Sequence, residues 1–284
     1  GAFLYGVLPV VVQAERTGVP LAYLTNVDID ADPHALDGAT AYVSMGHDEY
    51  WTDRMRAAVL AARNSGTNLV FLGADTEYWR IRMEDLGGRS RLEVGYKTDA
   101  ASDPIGVRSP HAVTGAFRDP PNPHPENGLT GMQYECFPVD TAYRVVSPHW
   151  WGFSGTAVRA GDAFPHLVGI EADRVYPVRS TPRPLQVLSY SPYSCRGVPT
   201  SAQSVYYTAR SGAGVFTAGT LRWTCALKPV CGDTGSSSAT RLFVRRVTDN
   251  LLLAMSKGPV GRRWPARDNV SQFTLPKAND VPAS

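Results

Sequence analysis

The stretch that decides the fold is residues 40–72, TAYVSMGHDEYWTDRMRAAVLAARNSGTNLVFL. It opens on a short apolar run, 40–45, that reads as a buried strand, and closes on a second such run, 68–72. Between them Thr52 is a residue type that caps helix N-termini. Met55, Ala58, Val59 and Ala62 then recur at the 3.6-residue period, and Gly66 ends the helix they define. Strand, loop, helix, glycine, strand is a βαβ unit, and it implies parallel strands joined by a right-handed crossover.

On the N-terminal side of this unit, residues 4–16 read as a helix that stops near Gly18. Residues 21–25 read as another short buried strand, followed by a polar loop holding Asp28, Asp30 and Asp32. On the other side, residues 88–210 change character, with β-prone runs at 144–146, 166–170, 185–190 and 205–208 set among many Pro, Gly and Ser residues. That segment is expected to be a β-rich insertion or subdomain within one α/β domain spanning 1–284. Residues 215–218 return to a simple strand, 240–255 form an amphipathic helix, and 259–284 are expected to wrap the surface as a tail. The expected fold class is α/β: three layers around a mostly parallel central sheet, with a β-rich middle insertion.

Composition narrows the function. Lys and Arg total 28 against 26 Asp and Glu, a net charge of +2 with no dense basic run, so nucleic acid is not an expected partner. The longest apolar stretch, 2–12, is broken by Gly6 and Pro9 and is too short to span a bilayer. It also lacks the basic flank of a signal peptide. A sequence opening on Gly1 rather than Met is expected to be a processed product or a piece of a longer chain with additional domains. The cysteines, Cys136, Cys195, Cys225 and Cys231, show no CxxC spacing, which argues against a zinc knuckle or redox motif. Cys225 and Cys231 flank a loop suited to a local disulfide, and with 22 Pro and 26 Gly the composition suits a secreted, extracellular enzyme.

Ligands of parallel α/β sheets bind at the carboxyl ends of the strands. Three strand exits are therefore of interest: 46–51 (GHDEYW), 73–80 (GADTEYWR) and 219–223 (GTLRW). The first packs an imidazole, two carboxylates and a phenol, His47, Asp48, Glu49 and Tyr50, between a strand and a helix N-terminus. Such a set binds a metal, polarises a carbonyl or moves protons. Asp48 and Glu49 also suit the positive end of a helix dipole, and Trp51 suits packing. The second exit offers Asp75, Glu77, Tyr78 and Trp79, with Arg80 and Arg82 expected as ion-pair partners of Asp75 and Glu77 rather than as substrate clamps. Glu171 and Asp173 share a strand face, His149 stands beside Trp150 and Trp151, and Thr220 sits in the third exit. A nucleophile is missing. The turn after 68–72 reads Gly73-Ala74-Asp75 without a thiol, Gly-x-Ser-x-Gly does not occur at a strand exit, and no phosphate loop is present. Metal-activated water or carboxylate acid/base chemistry remains.

Gly46–Trp51, the helix after it, Phe71-Leu72-Gly73-Ala74 and Tyr78-Trp79-Arg80-Ile81-Arg82 together resemble the large (beta) subunit-like family of N,N-dimethylformamidase. Residues 125–131 (PENGLTG), 169–174 (GIEADR), 215–220 (VFTAGT) and Asn250 extend the resemblance over most of the chain. It implies a glutamine-amidotransferase-like fold and hydrolysis of a small formamide with a mononuclear iron held by two tyrosines and a glutamate. Carried over, Tyr78 and Tyr50 are the candidate tyrosine ligands. Glu171 is the candidate glutamate, with Glu49 and Glu126 as rivals. His47, Asp48 and Glu49 become candidate catalytic groups, and Asp75, Glu77, Trp79, His149 and Thr220 candidate substrate contacts. The chain departs from the family pattern in reading Gly-His-Asp-Glu-Tyr rather than Gly-x-His-Pro-Glu-Tyr, a shorter loop that aims His47 differently.

A rival reading is a metal-free carbohydrate-active or carbohydrate-binding protein. Asp48, Glu49, Asp75 and Glu77 would act on a glycan, and Trp79, Trp150, Trp151 and Trp223 would stack on its rings. The substrate is then a small molecule or a glycan, and iron is the implied cofactor only in the first case.

Overall fold

The computed structural model describes residues 3–86, 90–228 and 236–275. Helix α1 (Leu8–Thr17) ends on Gly18 in the left-handed conformation. Helix α2 (Asn26–Ala31), strand β1 (Ala41–Met45), the two-residue β2 (Tyr50–Trp51), helix α3 (Asp53–Ser65) and strand β3 (Asn68–Leu72) come next. The βαβ unit is present: β1 and β3 pair in parallel from Ala41↔Asn68 to Met45↔Leu72. The Thr52 side chain caps α3 by accepting the Met55 N–H, and Gly66 closes it with a φ of 112°.

After β3 come β4 (Trp79–Arg80), β5 (Arg82–Leu86), β6 (Ser90–Val94) and the short α4 (Asn127–Thr130). Strands β7 (Gln133–Arg144) and β8 (Ala163–Arg174) form a long antiparallel ribbon. Strands β9 (Leu185–Cys195), β10 (Val198–Thr208) and β11 (Gly214–Thr217), then α5 (Arg222–Cys225) and α6 (Ser238–Met255), complete the elements.

The central sheet has five strands in the order β1-β3-β11-β10-β9. It is mixed, which corrects the expectation of a mostly parallel sheet: β1, β3 and β11 run parallel, whereas β10 is antiparallel to both β11 and β9. The connections explain the difference. Arg196 and Gly197, both at positive φ, form a two-residue turn between β9 and β10, and only residues 209–213 separate β10 from β11. Links that short join strands only as hairpins, because a parallel connection needs a crossover of a dozen residues or more.

Strand β3 is buried on both faces. Leu69 and Phe71 pack with Met55, Val59 and Ala62 of α3, while Val70 and Leu72 face Val10 of α1 and Val244, Val247 and Leu251 of α6. Helices therefore cover both faces of the sheet.

Residues 21–25 are not a strand, a second correction. The run is exposed and irregular, and it leads into helix α2 where a polar loop was expected. Thr25 and Asp28 form a reciprocal capping box that starts α2, and this local hydrogen bonding prevails over a short apolar run that pairs with no strand among the described residues. Beyond α6, residues 260–266 pack against Asn68, Tyr206, Thr208 and Gly212, and residues 267–274 run along the edge of β9. Asn269 there accepts the Val187 N–H at 2.7 Å and donates to its carbonyl at 3.1 Å.

A disulfide joins Cys136 of β7 to Cys195 of β9. Cys225 is also disulfide-bonded, and its expected partner Cys231 lies outside the described residues. Among the described residues, no helix is long and apolar enough to cross a membrane.

Candidate active site at the strand exits

Gly46 and Gly73 end β1 and β3 side by side. A Cβ on Gly73 would stand 2.2 Å from the Gly46 carbonyl oxygen, and Gly46 has a φ of 70°, so glycine is required at both. The two exit loops are then stitched along their length. Glu77 N–H donates to the Asp48 carbonyl at 3.1 Å, Trp79 N–H to Glu49 at 2.9 Å and Ile81 N–H to Trp51 at 2.8 Å. Strands β2 and β4 pair in parallel within this seam, Tyr50 opposite Trp79. The β7–β8 ribbon closes the third side, where Ala172 bridges to Thr220 and Asp173 N–H donates to the Gly219 carbonyl.

Side chains from all three sides meet in a cleft of about 640 Å³ lined by Glu49, Asp75, Tyr78, Trp79, Tyr134 and Glu171, among others. His47 lies between the acids: its Nε2 is 3.1 Å from Glu171 Oε1 and its Nδ1 3.3 Å from Glu49 Oε2. The hydrogen bond to Glu171 raises the imidazole pKa, helped by the nearby carboxylate charges and opposed by burial. Asp75 is buried in the left-handed conformation, φ 56°, with its N–H donating to Asp173 Oδ1 at 2.9 Å. Burial pushes its carboxyl up to about 10, and the charges of Glu49, Asp173 and Glu171 add to this. Burial likewise raises Asp173 to about 7. Asp75 Oδ1 and Glu171 Oε2 are buried without a hydrogen-bond partner.

Tyr78 packs edge-to-face on Tyr134 with ring centroids 5.4 Å apart. The Arg118 guanidinium lies 5.0 Å from the Tyr78 centroid and is ion-paired with Glu126. Burial raises the Tyr78 phenol pKa, and Arg118 opposes it.

The remaining singled-out residues sit elsewhere. Asp48 turns away from His47 and Glu49, and its carboxylate accepts from Ser44 Oγ at 2.6 Å and Asn26 Nδ2 at 2.8 Å, which anchors α2 to β1. Tyr50 receives the Lys97 ammonium on its hydroxyl. Glu77 is fully buried against Arg56 of α3. Arg80 and Arg82 do form ion pairs, but not with the acids of their own loop: Arg80 pairs with Asp53, Arg82 with Glu84 and Asp103, and Glu77 is taken by Arg56. The Thr220 hydroxyl is engaged by Gly169 N–H and by the Leu167 and Gly169 carbonyls. His149 lines a different pocket, with Gln186, Trp264 and Arg267. Of the four tryptophans expected to stack on sugar, Trp150 and Trp223 are buried in the core and Trp79 lines the cleft.

Tyr134, Lys97 and Arg118 escaped the sequence reading. None belongs to a strand-exit motif. Strand β7 gave no clean alternation to find Tyr134 by, because its burial pattern is broken by a register shift between Tyr134 and Cys136.

The arrangement is that of a mixed α/β protein with an acid- and phenol-lined cleft at the ends of its parallel strands, and it has the donors and acceptors to move protons around a polarised carbonyl. The chain matches the N,N-dimethylformamidase beta subunit-like, C-terminal family over residues 5–236 and belongs to that family. No curated protein matches it.

Proposed function

We propose that this protein hydrolyses the C–N bond of an amide or formamide in the cleft between β1, β3 and β8. The observation that carries the reading is the bracketing of His47 by Glu49 and Glu171 beside Asp75. Water adds to the carbonyl carbon as its proton passes to a carboxylate of this set. The C–N bond then breaks as His47, charged through its contact with Glu171, gives a proton to the departing amine. Asp75, protonated at neutral pH, donates to the carbonyl oxygen as negative charge develops there.

The iron implied by the resemblance is tested by the donors present. Among the described residues, no three His, Cys, Asp or Glu side chains are arranged to hold a metal ion, so a cation here needs the phenols. Phenol and carboxylate oxygens suit a hard cation. Glu171 Oε2 is buried and unpartnered, and Tyr78 and Tyr134 line the same cleft, so this set fits. Tyr50 fits less well, because its hydroxyl is engaged by Lys97. Tyr78, Tyr134 and Glu171 would hold the metal, which when bound polarises a carbonyl and acidifies water. The bridged cysteines support an oxidising, extracellular compartment.

The test is elemental analysis and a visible spectrum of protein purified without chelator, followed by assay of amine release from small amides. Stoichiometric iron with a phenolate charge-transfer band, lost in Tyr78→Phe, and amine release that depends on Glu171 are the expected results. Metal-replete protein that releases no amine from any formamide or acetamide would overturn the hydrolytic reading. A fully metallated Tyr78→Phe would overturn the ligand set.

A further inference from the structure

The cleft is larger than a formamide needs. At about 640 Å³ it falls within the range of pockets that enclose whole drug-sized molecules. Its walls carry Tyr78, Trp79, Tyr134 and Phe137, apolar surface that a formyl group with two methyls would leave mostly wet.

Two exposed cations stand on its rim, supplied by different parts of the fold. Lys97 lies over the rings of Tyr50 and Trp79, 4.6 and 5.6 Å from their centroids. Arg196 sits in the β9–β10 turn with a φ of 49°, and its Nη2 donates to the Phe137 carbonyl at 3.3 Å. Lys97 thus marks the Trp79 side of the cleft and Arg196 the Phe137 side. Both line it, and among the described residues neither forms an ion pair with a carboxylate.

We propose that Lys97 and Arg196 recognise a carboxylate at the mouth of the cleft, so that the substrate is an amide with an apolar body and a carboxylate, an N-acyl amino acid in class. This rests on the reading of the cleft as a hydrolytic site. The charge pattern sets a single orientation. Of the acids that line the cleft, Glu49, Asp75 and Glu171 are buried and Asp119 is half-buried, and each repels or desolvates a carboxylate beside it, whereas the exposed guanidinium of Arg196 and ammonium of Lys97 attract one. With the carboxylate held outward and the apolar body against the aromatic wall, the amide lies over Glu49 and Glu171, the two acids that flank His47.

Calorimetric binding of N-acetyl-L-phenylalanine and of its neutral carboxamide twin tests this. At low salt the carboxylate compound is expected to bind about three- to ten-fold tighter than the twin, the span of one or two exposed charge pairs. Arg196→Met and Lys97→Met should each narrow the gap, Arg196→Lys should retain part of it, and added salt should erode it. Equal affinities, binding of neither compound, or a preference unchanged in both methionine variants would overturn the proposal. A carboxylate preference that depends on Arg196, without release of amine or acetate, would leave the recognition standing and remove the hydrolytic reading alone.

Discussion

His47 and Glu171, 124 positions apart in the chain, meet with the imidazole Nε2 3.1 Å from the carboxylate Oε1. Glu49, two residues from His47, takes the other ring nitrogen at 3.3 Å. An imidazole with an acceptor on each nitrogen is favoured in its charged form, because only that form donates from both. The contact depends on long-range assembly: β8 reaches the β1 exit only because the ribbon docks on the Gly219–Thr220 turn after β11.

Glu171→Gln tests this relationship. The amide keeps the shape but removes the charge, so the His47 pKa should fall from its raised value towards the ordinary 6.5. Amide hydrolysis should drop about 10²- to 10⁴-fold, mainly in kcat. An NMR titration of His47 and steady-state kinetics would check both. An unmoved imidazole titration or wild-type turnover would remove Glu171 from the mechanism.

Asp75→Asn tests the buried acid. In the folded chain its carboxyl is raised from 3.8 to about 10, whereas the unfolded chain keeps the lower value. Between these limits the folded state binds the extra proton, so wild-type stability falls as pH rises from about 4 towards 10. Asparagine resembles the protonated acid and cannot ionise. The variant should match the wild type near pH 4 and exceed it by at least about 1 kcal/mol at pH 8 in metal-free protein. Denaturant melts at the two pH values decide it, and a stability difference independent of pH would show that Asp75 is ionised in the fold.

The parts of the fold legible in the sequence are those set by local periodicity. The β1–α3–β3 unit, the Thr52 and Gly66 caps and the convergence of the first two strand exits were all readable, because each depends on neighbours within a few turns of chain. The antiparallel half of the sheet was not, since pairing of β9 and β10 depends on a two-residue turn, Arg196-Gly197, whose sequence has no strong signature. Residues 21–25 misled because a short apolar run carries no information about whether a strand waits beside it. Within GHDEY, residue types identified the cluster but not its directions. Asp48 points away because Ser44 and Asn26 hold it, which no spacing rule reveals. Tyr134 enters the cleft from a strand whose partner is set by the fold as a whole.

Arg56→Met probes how the second exit loop is held. Glu77 is fully buried in the left-handed conformation, φ 64°, one residue before Tyr78, and Arg56 is its ion-pair partner. Burial already pushes the Glu77 carboxyl up to about 8 against the pull of Arg56. Removing the guanidinium should raise it further, so the folded variant takes up a proton and its deficit grows with pH. A loss of about 1 kcal/mol at pH 6, rising towards about 3 kcal/mol at pH 10 as the wild-type carboxyl ionises above about pH 8, is expected. The double change Arg56→Met with Glu77→Gln should flatten that dependence. A deficit equal at both pH values would mean the pair contributes by packing alone.

The Cys136–Cys195 bridge gives the last prediction. It joins β7, the strand carrying Tyr134, to the end of β9 that bears Arg196, across 59 residues of chain. A cross-link closing a loop of that length restricts the unfolded chain by about 4 kcal/mol in the chain-entropy treatment. Cys136→Ala with Cys195→Ala should therefore lose about 2–4 kcal/mol in a denaturant melt, the native core around Cys136 being otherwise retained. The same change frees the β9–β10 hairpin relative to β7 and so loosens the placement of Arg196 against Phe137. Affinity for N-acetyl-L-phenylalanine should weaken more than affinity for its carboxamide twin. A double variant as stable as the wild type would show that β7 is held to the sheet by its packing rather than by the bridge. Equal weakening of both ligands would show that the hairpin keeps its place without the bridge.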